Sequence, residues 1–218
     1  MKLVYENALS CAEDIKGFRL EGSAEIYFEQ NKMRMKNALP PELGQKSNFV
    51  LWCPEDFPAD IRVEWDFRPI EEPGLAILFF SAAGCRGEDL FDSSLQTRDG
   101  QYHLYHSGDI NAYHISYFRR RYESERAFHT CNLRKSAGNH LVVQGADPIP
   151  DCADALEEYH ITLTKKNGTI TFMINDLTIF AWQDNGVEYG PVHGGGKIGF
   201  RQMAPMIGEY SNFKVYEL

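Results

Sequence analysis

The sequence predicts an all-β protein, a β-sandwich or jelly roll of antiparallel strands. Three observations carry that prediction. Apolar residues recur at every second position in several short runs, the period of a strand with one buried face. Gly, Asn, Asp and Pro separate those runs, as hairpin and loop chemistry requires. No stretch holds a helical period over three turns, and DCADALEEY has room for only one or two turns after a loop.

In chain order, AEIYFEQ and NFVLWC are short strands. DIRVEWDFRP alternates cleanly, with Ile61, Val63, Trp65 and Phe67 on one face and Arg62, Glu64, Asp66 and Arg68 on the other. After the turn IEEPG, LAILFFSA is apolar on both faces, so it is either a central covered strand or one with an apolar outer surface used for binding. Gly84 to Asp109 then runs 26 residues without a strand pattern, yet holds Leu90, Phe91, Tyr102, Leu104 and Tyr105. So long and apolar a loop is expected to pack over one end or face of a sheet. In YHITLTKKNGTITFMINDLTIFAWQDNG, Asn167-Gly168 and Asn175-Asp176 are turns between three strands of a meander. GGGKIGFRQMAPMIGEYSNFKVYEL adds two more strands, the last reaching the C-terminus. With no internal repeat and no low-complexity linker, residues 1–218 read as one domain.

The totals bound the function. The net charge of −9 speaks against a nucleic-acid partner, which needs a positive footprint. The five cysteines (Cys11, Cys53, Cys85, Cys131 and Cys152) are odd in number and lack metal-ligand spacing, so they read as reduced thiols of a cytoplasmic protein. MKLVYENALS has no apolar run for a secretory signal, and no run of about 18 apolar residues offers a membrane span. Neither a dinucleotide fingerprint, a Walker loop, a Gly-x-Ser-x-Gly elbow nor a zinc-type histidine spacing occurs, so no cofactor and no metal in the site are expected, while a structural calcium at a loop end stays an open alternative.

The site candidates concentrate in one region. Five of the seven histidines and six of the twelve arginines fall between residues 98 and 140. In YHSGDINAYHISYFRRR, a strand after Gly108 places Asn111, Tyr113, Ile115 and Tyr117 on the bulkier, core-facing side. Ala112, His114, Ser116 and Phe118 then look outward, and a register one residue off would invert this. His114 is either a sugar-binding or acid–base group or a half-buried histidine satisfied by a carbonyl. His106 and Asp109 could be a base and its orienting carboxylate, or Asp109 could simply cap a turn. Arg134 and Arg201 adjoin the core positions Leu133 and Phe200 and therefore leave on the outer face. Arg119-Arg120-Arg121 is a solvated face unless alternation sends one of them across a sheet. Converging guanidinium groups suit a carboxylate ligand; the alternative is pairing with Glu88, Asp89 or Asp92. Glu64 and Asp66 share a strand face, but Arg62 and Arg68 beside them favour a charge ladder over a glycosidase pair, whose carboxyls stand roughly 5 to 10 Å apart.

WCPEDFPADIRVEWDFRPIEEPGLAILFFSAAGCRGEDLFD, YHSGDINAYHISYFRRR, FHTCNLRKSAGNHLVVQGADPIP and GKIGFRQMAPM closely resemble the YesU-like family of bacterial proteins, over nearly the whole chain. That resemblance implies a concanavalin A-like lectin/glucanase jelly roll of two antiparallel sheets, one concave, with sugar sites on the concave face. It also implies ligands of the rhamnogalacturonan type, since members occur among genes for using pectin-derived material. No catalytic residue carries over with it. Phe80, Tyr113, Tyr117 and Phe118 would stack on sugar rings if they faced the cleft and are core otherwise.

Together these readings predict a carbohydrate-active protein for short acidic, uronic-acid-containing oligosaccharides, a glycosidase or lyase. His106, Asp109 and His114 would handle protons. Ser116, Arg119, Asn132, Arg134 and Arg201 would hold substrate. The rival readings are a non-catalytic sugar-binding or regulatory module and a homodimer whose cleft is filled by a second subunit.

Overall fold

The computed structural model describes residues 1–218. In chain order its strands are β1 (Lys2–Asn7), β2 (Arg19–Gly22), β3 (Ala24–Glu29), β4 (Lys32–Asn37), β5 (Phe49–Trp52), β6 (Ile61–Glu71), β7 (Leu75–Gly84) and β8 (Ile110–Tyr117). There follow β9 (Thr130–Ser136), β10 (His140–Ala146), β11 (Tyr159–Lys166), β12 (Thr169–Ile174), β13 (Leu177–Gln183), β14 (Lys197–Met203) and β15 (Ile207–Glu217). Two short helices, α1 (His103–His106) and α2 (Glu123–Ala127), interrupt them.

The strands form the two antiparallel sheets of a jelly-roll sandwich. The eight-stranded sheet runs β13-β12-β11-β6-β15-β4-β3, with β1 pairing to β15; the seven-stranded sheet runs β10-β9-β8-β7-β14-β5-β2. The β1–β15 pairing joins the two ends of the chain. Asn167 and Gly168 take φ of 49° and 79°, the left-handed backbone that a two-residue hairpin demands, and they fix the register of β11 on β12.

Period-two patterning makes the main core. Ile61, Val63, Trp65 and Phe67 of β6 are buried and face Tyr113, Ile115 and Tyr117 of β8, Leu133 of β9 and Phe200 of β14 in one cluster. Each such side chain contributes roughly 1.5–3 kcal/mol on burial. The one polar atom Trp65 brings in is satisfied, its indole N–H donating to Tyr117 Oη at 3.1 Å. On the opposite face of β6, Arg62 pairs with Glu64 at 2.5 Å, and Asp66 meets His160 and Asn212, so this is a charge ladder.

The apolar outer face of β7 has a different fate. Leu75, Ile77 and Phe79 join Val50, Trp52, Leu90, Leu104, Tyr105 and Ala112 in a second cluster. The 84–109 segment supplies its cover and thus lies over the outer face of the seven-stranded sheet. A buried polar clasp fastens it: Glu21 on β2 accepts from Arg98 Nη2 at 2.8 Å, Arg98 Nε at 3.1 Å and Trp52 Nε1 at 2.9 Å.

The structure corrects one expectation. Phe118 does not continue the outward face of β8. Its φ of 45° breaks the alternation and turns the ring into the main core. Phe80, Tyr113 and Tyr117 take the core alternative and are fully buried in that cluster. DCADALEEY forms a single turn, Ala155 N–H donating to Asp151 O, with Ala155 as its buried anchor. No helix is long and apolar enough to cross a membrane.

Candidate functional site

At one end of the seven-stranded sheet, cross-strand register lines up a row of side chains. Asn132 on β9 opposes Ser116 on β8; Ser116 opposes Ile77 on β7; Ile77 opposes Arg201 on β14. The next row is Arg134, His114 and Phe79. Partners directly opposite in a sheet share a face, so this floor follows from strand phase alone. Tyr102 from the covering segment, Gln45 from the turn at Pro41–Ser47, and Tyr122 and Glu125 at α2 wall it in. The result is a hollow of about 170 Å³ lined by Ser116, Arg119, Asn132, Arg134 and Arg201 together.

Its electrostatics are lopsided. Arg201 is 0% exposed. Its Nη2 donates to Gln45 Oε1 and Gly100 O, both at 3.1 Å, while Nε and Nη1 have no partner. Burial pushes this guanidinium down to about 10, and only tyrosine hydroxyls, no carboxylates, oppose that. Arg134 is half-buried, donates to Asn139 O at 2.9 Å and makes no ion pair. Arg119 is held by Glu125 Oε1 at 2.7 Å and Thr130 Oγ1 at 2.7 Å, and by the Asn132 amide at 3.0 Å when its oxygen faces the guanidinium. Glu125 is the only carboxylate in the lining, and its other oxygen accepts the N–H groups of Arg121 and Tyr122. A buried charge without its counter-charge is costly, so this wall is complementary to an anion of carboxylate size.

The three proton-handling candidates do not assemble around the hollow. His114 is 1% exposed beneath Tyr102, with Nε2 at 2.6 Å from Tyr102 Oη and Nδ1 unpartnered. Burial, then Arg134 and Arg201, holds it well below the usual imidazole range, so it is neutral. His106 packs against the Tyr102 ring at 4.5 Å and bonds Ser107 Oγ, outside the lining. Asp109 Oδ2 accepts the Gln96 N–H at 2.6 Å and so closes the covering segment, the role of a loop-capping carboxylate.

The remaining arginines separate by phase. Arg120 is fully buried and pairs with Asp147 at 3.3 Å and Asp151 at 2.8 Å, while Arg121 lies over the Tyr122 ring. Glu88 and Asp89 pair with Arg86 and Lys197, leaving Arg134 and Arg201 without acid partners. No sequence signal marks Gln45, Tyr122 or Glu125 as lining residues, because each arrives from a turn or short helix. Tyr102 was visible only as part of an unusually apolar loop.

No set of three His, Cys, Asp or Glu side chains is placed to hold a metal ion.

Comparison with known proteins agrees with this architecture. A family model described as "Domain of unknown function (DUF1961)" matches residues 2–215. A Bacillus subtilis (strain 168) relative, "Uncharacterized protein YesU", is 53% identical over 214 residues, covering 98% of this chain and 95% of its own. A crystal structure of a Bacillus subtilis protein of unknown function with a galectin-like fold superposes with TM-score 0.96 at 52% identity, over 100% of this chain and 96% of that one. At 14% identity, the carbohydrate recognition domain of Emp46p in its potassium-bound form gives 0.63 over 97% and 94% of the two chains. A Bacillus licheniformis β-glucanase gives 0.61 at 8% identity over 100% and 99%. These last two likenesses show the fold alone. From its second residue to well within its last strand, the chain belongs to the DUF1961 family.

Proposed function

We propose that the arginine-lined hollow binds the carboxylate of a uronic acid within a short oligosaccharide of the rhamnogalacturonan type. One observation carries this reading: Arg201, wholly buried in the wall, has two donor nitrogens without partners and no carboxylate beside it. Arg134 supplies a second unpaired guanidinium, and Ser116, Asn132 and Gln45 supply hydroxyl-binding groups. The lectin-like and glucanase-like folds of the neighbours support a carbohydrate as ligand. Five free thiols are in keeping with a cytoplasmic setting.

Hydrolysis by a carboxylate pair is poorly served here. Glu125 stands alone in the lining and is committed to Arg119 and two backbone N–H groups. A second reading, β-elimination beside the uronate carboxylate, is favoured by the Tyr102 hydroxyl at 2.6 Å from neutral His114, next to both unpaired arginines. In that reading His106 and Asp109 act only by supporting the segment that carries Tyr102.

Incubation with rhamnogalacturonan oligosaccharides separates the two. Binding by calorimetry with no unsaturated uronate by ultraviolet absorbance and no new reducing ends supports binding alone. Unsaturated product supports elimination. Absence of both binding and product removes the acidic-sugar reading.

A further inference from the structure

A second hollow, larger than the first at about 590 Å³, lies at the opposite end of the same strands. The end of β7, the start of β8, the turn after β9 and residues 189–195 enclose it. Along β8, Asn111 at this hollow and Ser116 at the other are five residues apart, about 16 Å in a strand. Asn111 shares the core-facing phase of β8 with Tyr113, whereas Ser116 is in the outer phase, so the two hollows open on opposite sides of the sheet.

The chemistry of this hollow is different. None of its lining side chains is charged. Asn111 uses its amide only in a 3.6 Å contact between Oδ1 and Cys85 Sγ, so its NH₂ is free to donate. His193 donates from Nε2 to Ser136 O at 2.6 Å, which fixes the tautomer and leaves Nδ1 as a bare acceptor with no partner. The backbone N–H of His193 is held by Tyr113 Oη at 3.1 Å, so the ring is fixed in place. Tyr189 stands at the edge, braced flat against His140 at 4.5 Å and 25° between planes. Gly194 opens on empty space, with nothing within 4 Å of where a Cβ would stand. A fixed donor, a fixed acceptor, an aromatic edge and no charge suit neither an anion nor a metal. They suit vicinal hydroxyls.

We propose that this hollow is a second carbohydrate site, one that takes an uncharged sugar through Asn111 and His193. It is independent of the acidic site and goes beyond it: the two hollows lie at opposite ends and on opposite sides of the same strands.

Titration of isotope-labelled protein with methyl glycosides of glucose, galactose, mannose and rhamnose tests this, observed by NMR. Saturable shifts are expected at the Asn111 side-chain amide and the backbone amides of Gly194 and Gly195. Asn111→Ala, which removes only the thiol contact from the fold, is expected to weaken that response at least about tenfold. Gly194→Trp, at a position with ordinary φ and open space, is expected to abolish it. Galacturonate binding at the arginine hollow stays unchanged in both variants. The proposal is overturned if no neutral glycoside moves these resonances, if the shifts survive Gly194→Trp, or if only uronates produce them. Loss of galacturonate binding in wild-type protein would instead strike the acidic site and leave this one standing.

Discussion

The guanidinium of Arg201 lies 5.0 Å from the ring centroid of Tyr102. One residue comes from the sheet and the other from the segment that covers it, so the contact joins the floor of the hollow to its wall. The ring shields the cation from water on one side and leaves its remaining donors unpartnered.

That relationship separates two changes at Tyr102. Tyr102→Phe keeps the ring over Arg201 but removes the partner of His114 Nε2 and the hydroxyl bond to Asn139 at 3.0 Å. Urea denaturation should show a loss of about 1–3 kcal/mol, with binding of galacturonate changed little. Tyr102→Ala also strips the ring from Arg201 and should weaken galacturonate binding. Equal binding by all three proteins would show that the stacking has no part in recognition.

The Glu21–Arg98 clasp should dominate the stability of the covering segment. Both side chains are under 5% exposed, and Glu21 also accepts the Trp52 indole N–H. Glu21→Ala leaves Arg98 buried with no acid partner and should cost about 3–5 kcal/mol. Hydrogen exchange should rise first at residues 90–105. A small stability loss with unchanged exchange there would show that the apolar cluster holds the segment by itself.

Two buried histidines predict acid lability. His193 is pushed down to about 4 by burial first, with Lys135 and Lys165 adding to it, against the opposing hydrogen bond to Ser136 O and the charge of Asp184. His114 is also pushed well below its ordinary value. Both stay neutral in the fold where the unfolded chain takes up protons below about pH 6.5. The unfolded state then binds more protons, so the stability is complete above that pH and is lost as pH falls toward 4. Denaturation near pH 5 should show about 2–4 kcal/mol less stability than near pH 7.5. His193→Gln should flatten part of that slope, and a slope unchanged by it would assign the lability elsewhere.

Much of this was legible in the sequence because it depends on period and turn chemistry. The alternation of Ile61, Val63, Trp65 and Phe67, the Asn167-Gly168 hairpin, and the division of β8 into inward Tyr113–Ile115–Tyr117 and outward His114–Ser116 all require only local backbone geometry. Reading Arg134 and Arg201 outward from Leu133 and Phe200 works for the same reason. What failed depended on single dihedrals or distant partners. Phe118 leaves its expected face through one left-handed φ. Asp109 takes its capping alternative, but its partner, the Gln96 N–H, is one that no spacing rule identifies. Gln45, Tyr122 and Glu125 reach the hollow through turns and a short helix whose placement is tertiary. The acid partner of Arg119 is Glu125, not an acid of the 88–92 stretch, because α2 folds back over the end of β8.

Calorimetry of galacturonate oligosaccharides on wild-type and Arg201→Ala protein, with neutral galactose oligosaccharides as control, tests the acidic site most directly. Wild-type protein should bind the acidic series and not its neutral counterpart at the arginine hollow, and Arg201→Ala should lose about 1–3 kcal/mol of that affinity. Unchanged affinity in Arg201→Ala, or equal binding of both series at that hollow, would contradict a carboxylate site built on Arg201.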